Sequence, residues 1–239
     1  AGANDSVNSN GGTYASWNWK ASGSTSTNSD GDINGTQTVS QTAGFSVTTY
    51  SGNGGSNQRL GHGLGVTPKV YICKRRDNTG QWLVVNTLID GTLDYLFLES
   101  TAAKSNSGRT LPTSSVVYLE NGGDANESGG THVCYAFTEK QGFSKFGSYT
   151  GNGSEGAFIY TGFAPSFFMI KRTDGSGDKW RMWDNVRSPF NLVDDSLAAN
   201  ENSVEYDDVS VSLDFLSNGV KMKMTGGGAG NGNNETYVF

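Results

Sequence analysis

The sequence predicts an all-β protein of two tandem β-sandwich modules, jelly-roll-like and built with short hairpins, preceded by an N-terminal strand and an extended polar arm. Short apolar runs rich in Val, Tyr, Phe and Ile alternate with clusters of Gly, Asn, Ser and Asp. Glycine supplies 34 of the 239 residues and proline only 4, and no window keeps an apolar spacing of three and four residues. This combination is typical of sandwiches and barrels.

A long internal repeat supports two modules, because motifs of the first half return after 97 to 99 residues. A period of roughly a hundred residues is too long for a solenoid and matches one small domain. The repeated motifs are Gly-Phe-Ser at 44–46 and 142–144, Tyr-x-Gly-Asn-Gly at 50–54 and 149–153, Lys-Arg-x-Asp at 74–77 and 171–174, and the tryptophans Trp82 and Trp180.

The repeat sets the predicted domain boundaries. Residues 11–17 are similar to 129–135, the closing strand of the first copy, so we interpret 13–19 as the closing strand of a preceding unit. Residues 21–42 are almost entirely polar or Gly, which leaves too little apolar surface to fold alone. We therefore expect a fragment or a processed product, with a closing strand at 1–20, a polar arm at 21–43, repeat 1 at 44–141, and repeat 2 at 142–239, truncated at its last strand.

Composition argues against several classes of function. The net charge is −6 and no basic stripe occurs, so nucleic acid is not an expected partner. No apolar run approaches the roughly 18 residues of a membrane span. Cys73 and Cys134 align with Ile170 and Phe239 of the other copy, so two buried apolar side chains are favoured over the alternative of a disulfide.

Apolar residues at aligned strand positions predict the two cores. Each strand is assigned one buried face, and a slip of one residue would exchange its two faces. The predicted core residues are Phe45, Val70, Ile72, Trp82, Val133 and Phe137 in repeat 1, and Phe143, Phe167, Met169, Trp180 and Val238 in repeat 2.

Two polar motifs are candidates for ligand or metal binding. His62 lies between glycines, where its ring could reach a ligand, but a locally hydrogen-bonded turn histidine is the favoured interpretation. Asp30, Asp32 and Asn34, followed by Gly, fit the first half of a calcium loop. The twelfth position is Gln41 in place of the bidentate Glu, so we favour an ordinary polar turn and expect no cofactor, with calcium as the alternative.

Aromatic side chains are the best indication of binding, because their rings can stack on sugars. Trp82 and Trp180 align with each other, which favours a core role for both. Trp183 has no aromatic counterpart, so it is the better candidate for a surface role, with a buried position as the favoured alternative. The candidate ligand-binding residues are therefore Trp183, Tyr160 and His62.

Acidic pairs at 194–195 and 207–208 are candidates for glycoside hydrolysis, which needs two carboxylates across a cleft. Neighbouring side chains on a strand point to opposite faces, so a solvated acidic loop is favoured. The chain has two histidines and no Gly-x-Ser-x-Gly elbow, so a Ser-His-Asp hydrolase has little support.

The chain resembles a repeat family of unknown function found in tail-fibre-like and other virion proteins of tailed phages, many of them marine. The resemblance covers nearly the whole chain and implies a virion structural context without enzymatic residues. The second copy lacks the Gly-His-Gly-Leu-Gly run, so a role for His62 would not be shared. The matching runs are Gly-His-Gly-Leu-Gly-Val-Thr-Pro-Lys at 61–69, Phe-Ser-Lys-Phe-Gly-Ser-Tyr-Thr-Gly-Asn-Gly at 143–153, Met-Ile-Lys-Arg at 169–172, and Phe-Leu-Ser-Asn-Gly at 215–219.

This resemblance leads to an expected function. We expect a phage virion structural protein, a non-enzymatic module of a tail fibre or another appendage, on the extracellular face of the particle. The expected partners are other virion proteins, further copies of the chain (a homo-oligomer, with a trimer as one option) and host surface glycan. The alternatives are a capsid decoration or head-fibre protein and, from another class, a carbohydrate-active enzyme.

Overall fold

The computed structural model describes residues 9–226 and 230–239. In the first half the strands are β1 (Ser26–Asn28), β2 (Gly35–Ser40), β3 (Phe45–Ser51), β4 (Gln58–Gly61), β5 (Val70–Arg75), β6 (Leu83–Asn86), β7 (Asp94–Phe97), β8 (Ser105–Asn106), β9 (Val116–Leu119) and β10 (Thr131–Phe137). In the second half they are β11 (Ser148–Thr150), β12 (Phe158–Tyr160), β13 (Phe167–Arg172), β14 (Arg181–Asp184), β15 (Asp195–Ala198), β16 (Tyr206–Asp207), β17 (Leu213–Leu216), β18 (Gly219–Met222) and β19 (Thr236–Val238).

The all-β class is confirmed, because the only helical element within the described residues is the single 3₁₀ turn Val209–Val211. That part of the chain also contains no helix long and apolar enough to cross a membrane. The strands form antiparallel sheets, none of which closes on itself. We call the sheets of β1–β10 the first unit and the sheets of β11–β19 the second unit.

The large sheets of the two units have corresponding strand orders. The first runs β1-β2-β3-β10-β5-β6-β7-β8, and the second runs β11-β19-β13-β14-β15-β16. From β3 onward, each strand of the first sheet has a counterpart at the same place in the second. The small sheets also correspond, since β4-β9 matches β12-β18, with β17 added at the far edge. The repeated sequence motifs therefore lie at matching places in the two units.

Each unit has its own apolar core between its large and small sheets. Tyr71 and Cys73 of β5 contact the first core, and Phe168 and Ile170 of β13 contact the second. A third apolar cluster joins the units, because Val84 and Leu96 of the first pack with residues of the second. The buried residues that the second unit adds to this cluster are Trp180 and Val238.

The predicted strand phase was wrong for β5 and β13, whose core side chains are the residues next to those predicted. Val70, Ile72 and Met169 point to the opposite face, where they pack against the third cluster. Both faces of these strands are covered, so an apolar pattern on one face could not identify the core face. Other predicted core residues are buried: Phe45, Val133, Trp180 and Val238. The remainder are half-buried (Trp82, Phe137, Phe167) or, for Phe143 in the turn after β10, 58% exposed.

The prediction of a polar arm was wrong, since the predicted arm forms β1 and β2. Strand β2 pairs with β3 along its whole length, with Thr36 opposite Thr49. Ile33, between the two strands, is buried in the first core. A polar segment can be ordered in this way because an existing sheet edge provides partners for its backbone groups.

The predicted N-terminal strand is also absent, because residues 13–19 pair with no sheet among the described residues. Trp17 lies 5.6 Å from Phe167, and Trp19 lies 6.4 Å from Phe137 and 5.9 Å from Phe167 between ring centroids. Phe137 belongs to the first unit and Phe167 to the second. Trp17 therefore packs against the second unit, and Trp19 packs against both units.

Backbone and side-chain hydrogen bonds also connect the two units. The Lys104 amide donates to the Thr173 carbonyl at 2.8 Å, and the Gly177 amide donates to the Thr101 carbonyl at 3.0 Å. Lys171 is fully buried, and its Nζ donates to the Thr101 carbonyl at 3.4 Å and to the Arg172 carbonyl at 2.8 Å. Burial lowers the pKa of Lys171 to about 8.

We expect this lysine to make stability depend on pH. The folded-state pKa of about 8 lies below the ordinary value of 10.5, so between these values the unfolded chain binds more protons. The free energy of unfolding contributed by Lys171 should therefore rise with pH across this window. Urea unfolding at a series of pH values gives the free energy of unfolding of the wild type and of Lys171→Met. As the pH rises above 8, the free energy of unfolding of the wild type should increase relative to that of the variant. A difference in the free energy of unfolding that does not change with pH would contradict the assignment. Titration of the tyrosines affects both proteins equally and does not contribute to this difference.

Candidate functional site

The Tyr-x-Gly-Asn-Gly motif forms the same asparagine clasp in both units, made by Asn53 with Asn126 and by Asn152 with Asn231. Asn126 Oδ1 accepts from the Asn53 amide at 2.9 Å, and its Nδ2 donates to Asn53 Oδ1 at 3.0 Å. The corresponding bonds between Asn231 and Asn152 are both 3.1 Å. Asn126 and Asn231 are each 0% exposed. The clasp residues are thus structural in both units.

The glycine before each clasp is required by a close backbone approach. A Cβ on Gly52 would lie 2.2 Å from the Glu127 carbonyl oxygen, and a Cβ on Gly151 would lie 2.2 Å from the Gly232 carbonyl oxygen. Distances this short exclude any side chain. The motif is therefore explained by packing, without a ligand.

The Lys-Arg-x-Asp motif forms a second repeated contact. Arg75 donates to Asp77 at 2.7 Å, and the other carboxylate oxygen of Asp77 accepts from the Thr131 amide at 2.8 Å. In the second unit Arg172 donates to Asp174 at 2.8 Å, and Asp174 accepts from the Thr236 amide at 2.8 Å. The hydrogen bond from Arg75 lowers the pKa of Asp77 to about 2, so the contact stays ionised at neutral pH.

His62 is buried and hydrogen-bonded both to its own turn and to the segment before β9. Its Nε2 lies 3.2 Å from the Thr113 carbonyl, and its Nδ1 accepts from the Leu64 amide at 3.2 Å. The Leu64 bond fixes the tautomer with the proton on Nε2, and burial lowers the pKa of the ring. Both ring nitrogens therefore have hydrogen-bond partners, one local and one distant in sequence.

The three residues of the calcium motif are not brought together around a common centre by their contacts. Both carboxylate oxygens of Asp32 accept hydrogen bonds from the Arg59 side chain, at 2.6 and 3.0 Å. These hydrogen bonds lower the pKa of Asp32 to about 2. Asp30 is exposed, and Asn34 lies just before β2. The carboxylate of Asp32 holds the β1–β2 hairpin against β4, which is an adequate structural reason for the motif.

Acidic side chains do meet elsewhere, on β15 and β16 and at the residue just before β15. Carboxylate oxygens of Asp194, Asp195 and Asp207 lie within 4.8 Å of one another. Asp195 accepts from Ser188 Oγ at 2.8 Å. Exposed carboxylates are often this close without a bound ion, so the cluster by itself assigns no site.

An open groove of about 710 Å³ lies where the units meet, with Glu99 on one side and Glu201 on the other. Lys179 contacts Glu201 at 2.9 Å, and Tyr206 donates to the same carboxylate at 2.7 Å. The hydrogen bond from Lys179 lowers the pKa of Glu201. A carboxylate held in its ionised form fits the base or nucleophile of glycoside hydrolysis but not its general acid.

Trp183 and Tyr160 occupy opposite environments. Trp183 is 0% exposed, and its indole N–H donates to the Val211 carbonyl at 3.1 Å, so this candidate ligand-binding residue lies in the second core instead. Tyr160 is 64% exposed on β12, as a binding role requires. Phe158, two residues earlier, is 48% exposed and lies on the same face of the strand. Phe158 was not among the predicted site residues, although the alternation in Phe-Ile-Tyr at 158–160 indicates that Phe158 and Tyr160 share a face.

These two rings form part of what we call the aromatic face, the outer side of the β12-β18-β17 sheet carrying Phe158, Tyr160, Lys221 and Asp214. Lys221 pairs with Phe158 on one side and with Asp214 on the other. A Cβ on Gly219 would lie 2.7 Å from the Phe158 ring, so this glycine lets the ring lie flat across the sheet. The result is an exposed platform of two rings beside one cation and one carboxylate.

The corresponding face of the first unit is covered by the chain itself. A Cβ on Gly61 of β4 would lie 1.9 Å from Asn28 Oδ1, so the β1–β2 hairpin packs directly on this strand. In the second unit Tyr160 stands at the place of Gly61 and Phe158 at the place of Arg59, since Leu60 and Ile159 are the matching core residues of β4 and β12. The second unit thus exposes rings where the first unit accepts a hairpin.

The chain matches the family described as Domain of unknown function (DUF7483) over residues 1–239. No curated protein and no solved structure matched the chain. Since the match spans all 239 residues, the protein belongs to the DUF7483 family.

Proposed function

We propose that this protein is a non-enzymatic structural module of a phage virion appendage such as a tail fibre, built from two tandem jelly-roll-like sandwiches. The observation that carries the proposal is the use made of the repeated polar motifs. The asparagine clasp and the Arg–Asp–Thr contact recur bond for bond in both units. A sequence in which both of these repeated polar contacts hold the fold together is suited to a building block, and the resemblance to virion repeat proteins supplies the context.

The proposal includes assembly with other virion proteins and with further copies of the chain. Turn glycines without room for a side chain and buried clasps make each unit rigid. Rigid modules can stack in a fixed orientation relative to one another, as an extended appendage requires. The localisation that follows is the outer face of the particle.

The aromatic face is proposed as the point of contact with host surface glycan. Pyranose rings stack on flat aromatic side chains, while neighbouring charged groups bind their hydroxyls. Phe158 and Tyr160 provide the rings, and Lys221 and Asp214 provide hydrogen-bonding groups on both sides. This surface is specific to the second unit, because the first unit covers the equivalent strand.

Substitution of the two rings tests the proposed contact. On an array of bacterial surface polysaccharides, Phe158→Ala with Tyr160→Ala should weaken binding by at least about tenfold, since each ring loses its stacking energy. The matched control is Phe190→Ala, because Phe190 is 81% exposed and lies outside the aromatic face. Both proteins should unfold at the wild-type temperature. Undiminished binding by the double variant would move the glycan contact to another surface.

The non-enzymatic part of the proposal is tested separately. Long incubation of the purified protein with the polysaccharides that it binds should release no new reducing ends. Release that disappears in Glu201→Gln would instead assign a glycosidase to the groove between the units.

A further inference from the structure

We propose that Cys73 and Cys134 are a cross-strand redox pair that forms a disulfide between β5 and β10 without rearrangement of the sheet. Cys73 lies directly opposite Cys134 in the antiparallel register. Both side chains point into the first core and are almost fully buried, at 0% and 2% exposure. Both are free thiols in this structure.

The backbone geometry places the two cysteines at a non-hydrogen-bonded pair of the antiparallel ladder, where a cross-strand disulfide fits. The Arg76 amide donates to the Thr131 carbonyl at 2.8 Å, so these two residues form a hydrogen-bonded pair of the ladder. Hydrogen-bonded and non-hydrogen-bonded pairs alternate along an antiparallel ladder, so Cys73 and Cys134, three positions further on, are a non-hydrogen-bonded pair. Opposed residues at such sites have Cα atoms about 4.5 Å apart, which lies within the range of about 4.4–6.8 Å that a disulfide spans.

The pKa shifts of Cys73 and Cys134 are consistent with two thiols that contact each other. The hydrogen bond from Cys134 lowers the pKa of Cys73, and the same bond together with burial raises the pKa of Cys134. The two thiols are therefore in hydrogen-bond contact, with Cys134 as the donor and Cys73 as the acceptor.

Packing alone does not require cysteine at these positions. In the second unit the register Lys171 to Val238 places Ile170 opposite Phe239, at the corresponding site of β13 and the segment after β19. Two large apolar residues fill that site, whereas the first unit carries two thiols that face each other.

The oxidant is a low-molecular-weight disulfide such as oxidised glutathione. The Cys73 thiolate attacks one of its sulfurs and expels one glutathione thiolate, which leaves a mixed disulfide. The Cys134 sulfur then attacks Cys73 Sγ and expels the second glutathione. Two protein thiols and one glutathione disulfide thus give one protein disulfide and two glutathione thiols, which carry the two protons. Since both sulfurs are buried, the exchange proceeds during folding or through transient opening of β10 from β5.

The test compares how strongly the folded and unfolded chains favour the disulfide. The full chain is equilibrated in glutathione redox buffers, both native and in concentrated denaturant, and free thiols are counted by maleimide labelling and mass spectrometry. If the fold aligns the thiols, the native chain should form the disulfide at an effective thiol concentration about 100-fold or more above that of the unfolded chain. Equal or lower disulfide formation in the native chain would overturn the proposal.

Stability provides a second readout that does not depend on access to the buried thiols. Chain refolded in oxidised buffer should unfold at a higher temperature than the same chain after reduction, with unchanged circular dichroism. Cys73→Ala and Cys134→Ala should each abolish this difference. A persistent difference in either variant, or a disulfide that lowers the unfolding temperature, would also overturn the proposal.

Discussion

Trp183→Ala should lower the free energy of unfolding by about 4 kcal/mol, the largest loss that we expect from a single substitution. Trp183 is 0% exposed, its ring lies 6.4 Å from that of Phe168, and its indole N–H bonds to the Val211 carbonyl. Truncation would leave a cavity in the second core and an unpaired carbonyl. Urea unfolding followed by circular dichroism measures the loss.

Phe190→Ala is the matched control for this prediction, since Phe190 is an aromatic residue of the same unit with 81% exposure. Its effect should stay within about 0.5 kcal/mol. A loss of less than about 1 kcal/mol for Trp183→Ala would contradict its core position and restore the sequence-based expectation of a surface role.

Asn231→Ala should cost about 3 kcal/mol. Asn231 Nδ2 shares its two hydrogens among Asn152 Oδ1, the Ser154 carbonyl at 2.7 Å and the Met224 carbonyl at 3.0 Å. Asn231 Oδ1 accepts from the backbone amide of Asn152. Its removal leaves several buried polar groups unpaired, and each of these costs more than the net value of a hydrogen bond. Thermal unfolding should show a drop of roughly 6–12 °C for a chain of this size.

The repeat provides the comparison for this second prediction. Asn126→Ala removes the same clasp from the first unit and should cost a similar amount, whereas Asn18→Ala at an exposed position should change stability by less than about 0.5 kcal/mol. A clasp variant as stable as Asn18→Ala would mean that the motif is kept for a reason other than folding.

Class and repetition could be predicted from the sequence because both depend on local patterns. Short apolar runs, turn residues and motifs at a constant offset indicated an all-β chain, and the corresponding strand orders place those motifs equivalently. The exposure of Tyr160 could also be predicted from the sequence, since Phe-Ile-Tyr alternates around the buried Ile159. The glycines beside His62 indicated a turn, but its contact with the Thr113 carbonyl, 51 residues further along the chain, has no signal in the sequence.

The errors concern features that long-range packing decides. Ile72 and Met169 were assigned to the cores because the sequence does not reveal that the two large sheets pack on each other and cover both faces of β5 and β13. Trp183 became a candidate for a surface role because its aligned position in the other unit is not aromatic, which does not reveal its burial. Strand β2 was missed because its partners are the backbone groups of β3, which leave no apolar signal in residues 35–40.

The central claim, a structural module of a virion appendage, is tested most directly by locating the protein on particles. Purified virions of a phage that encodes it, labelled with gold-conjugated antibody against the folded chain, should carry gold on the tail fibres or another external appendage. Mass spectrometry of the same particles should detect the chain in stoichiometric amounts. Gold on the head surface would instead assign a capsid decoration or head fibre, and absence of the chain from purified virions would contradict the account.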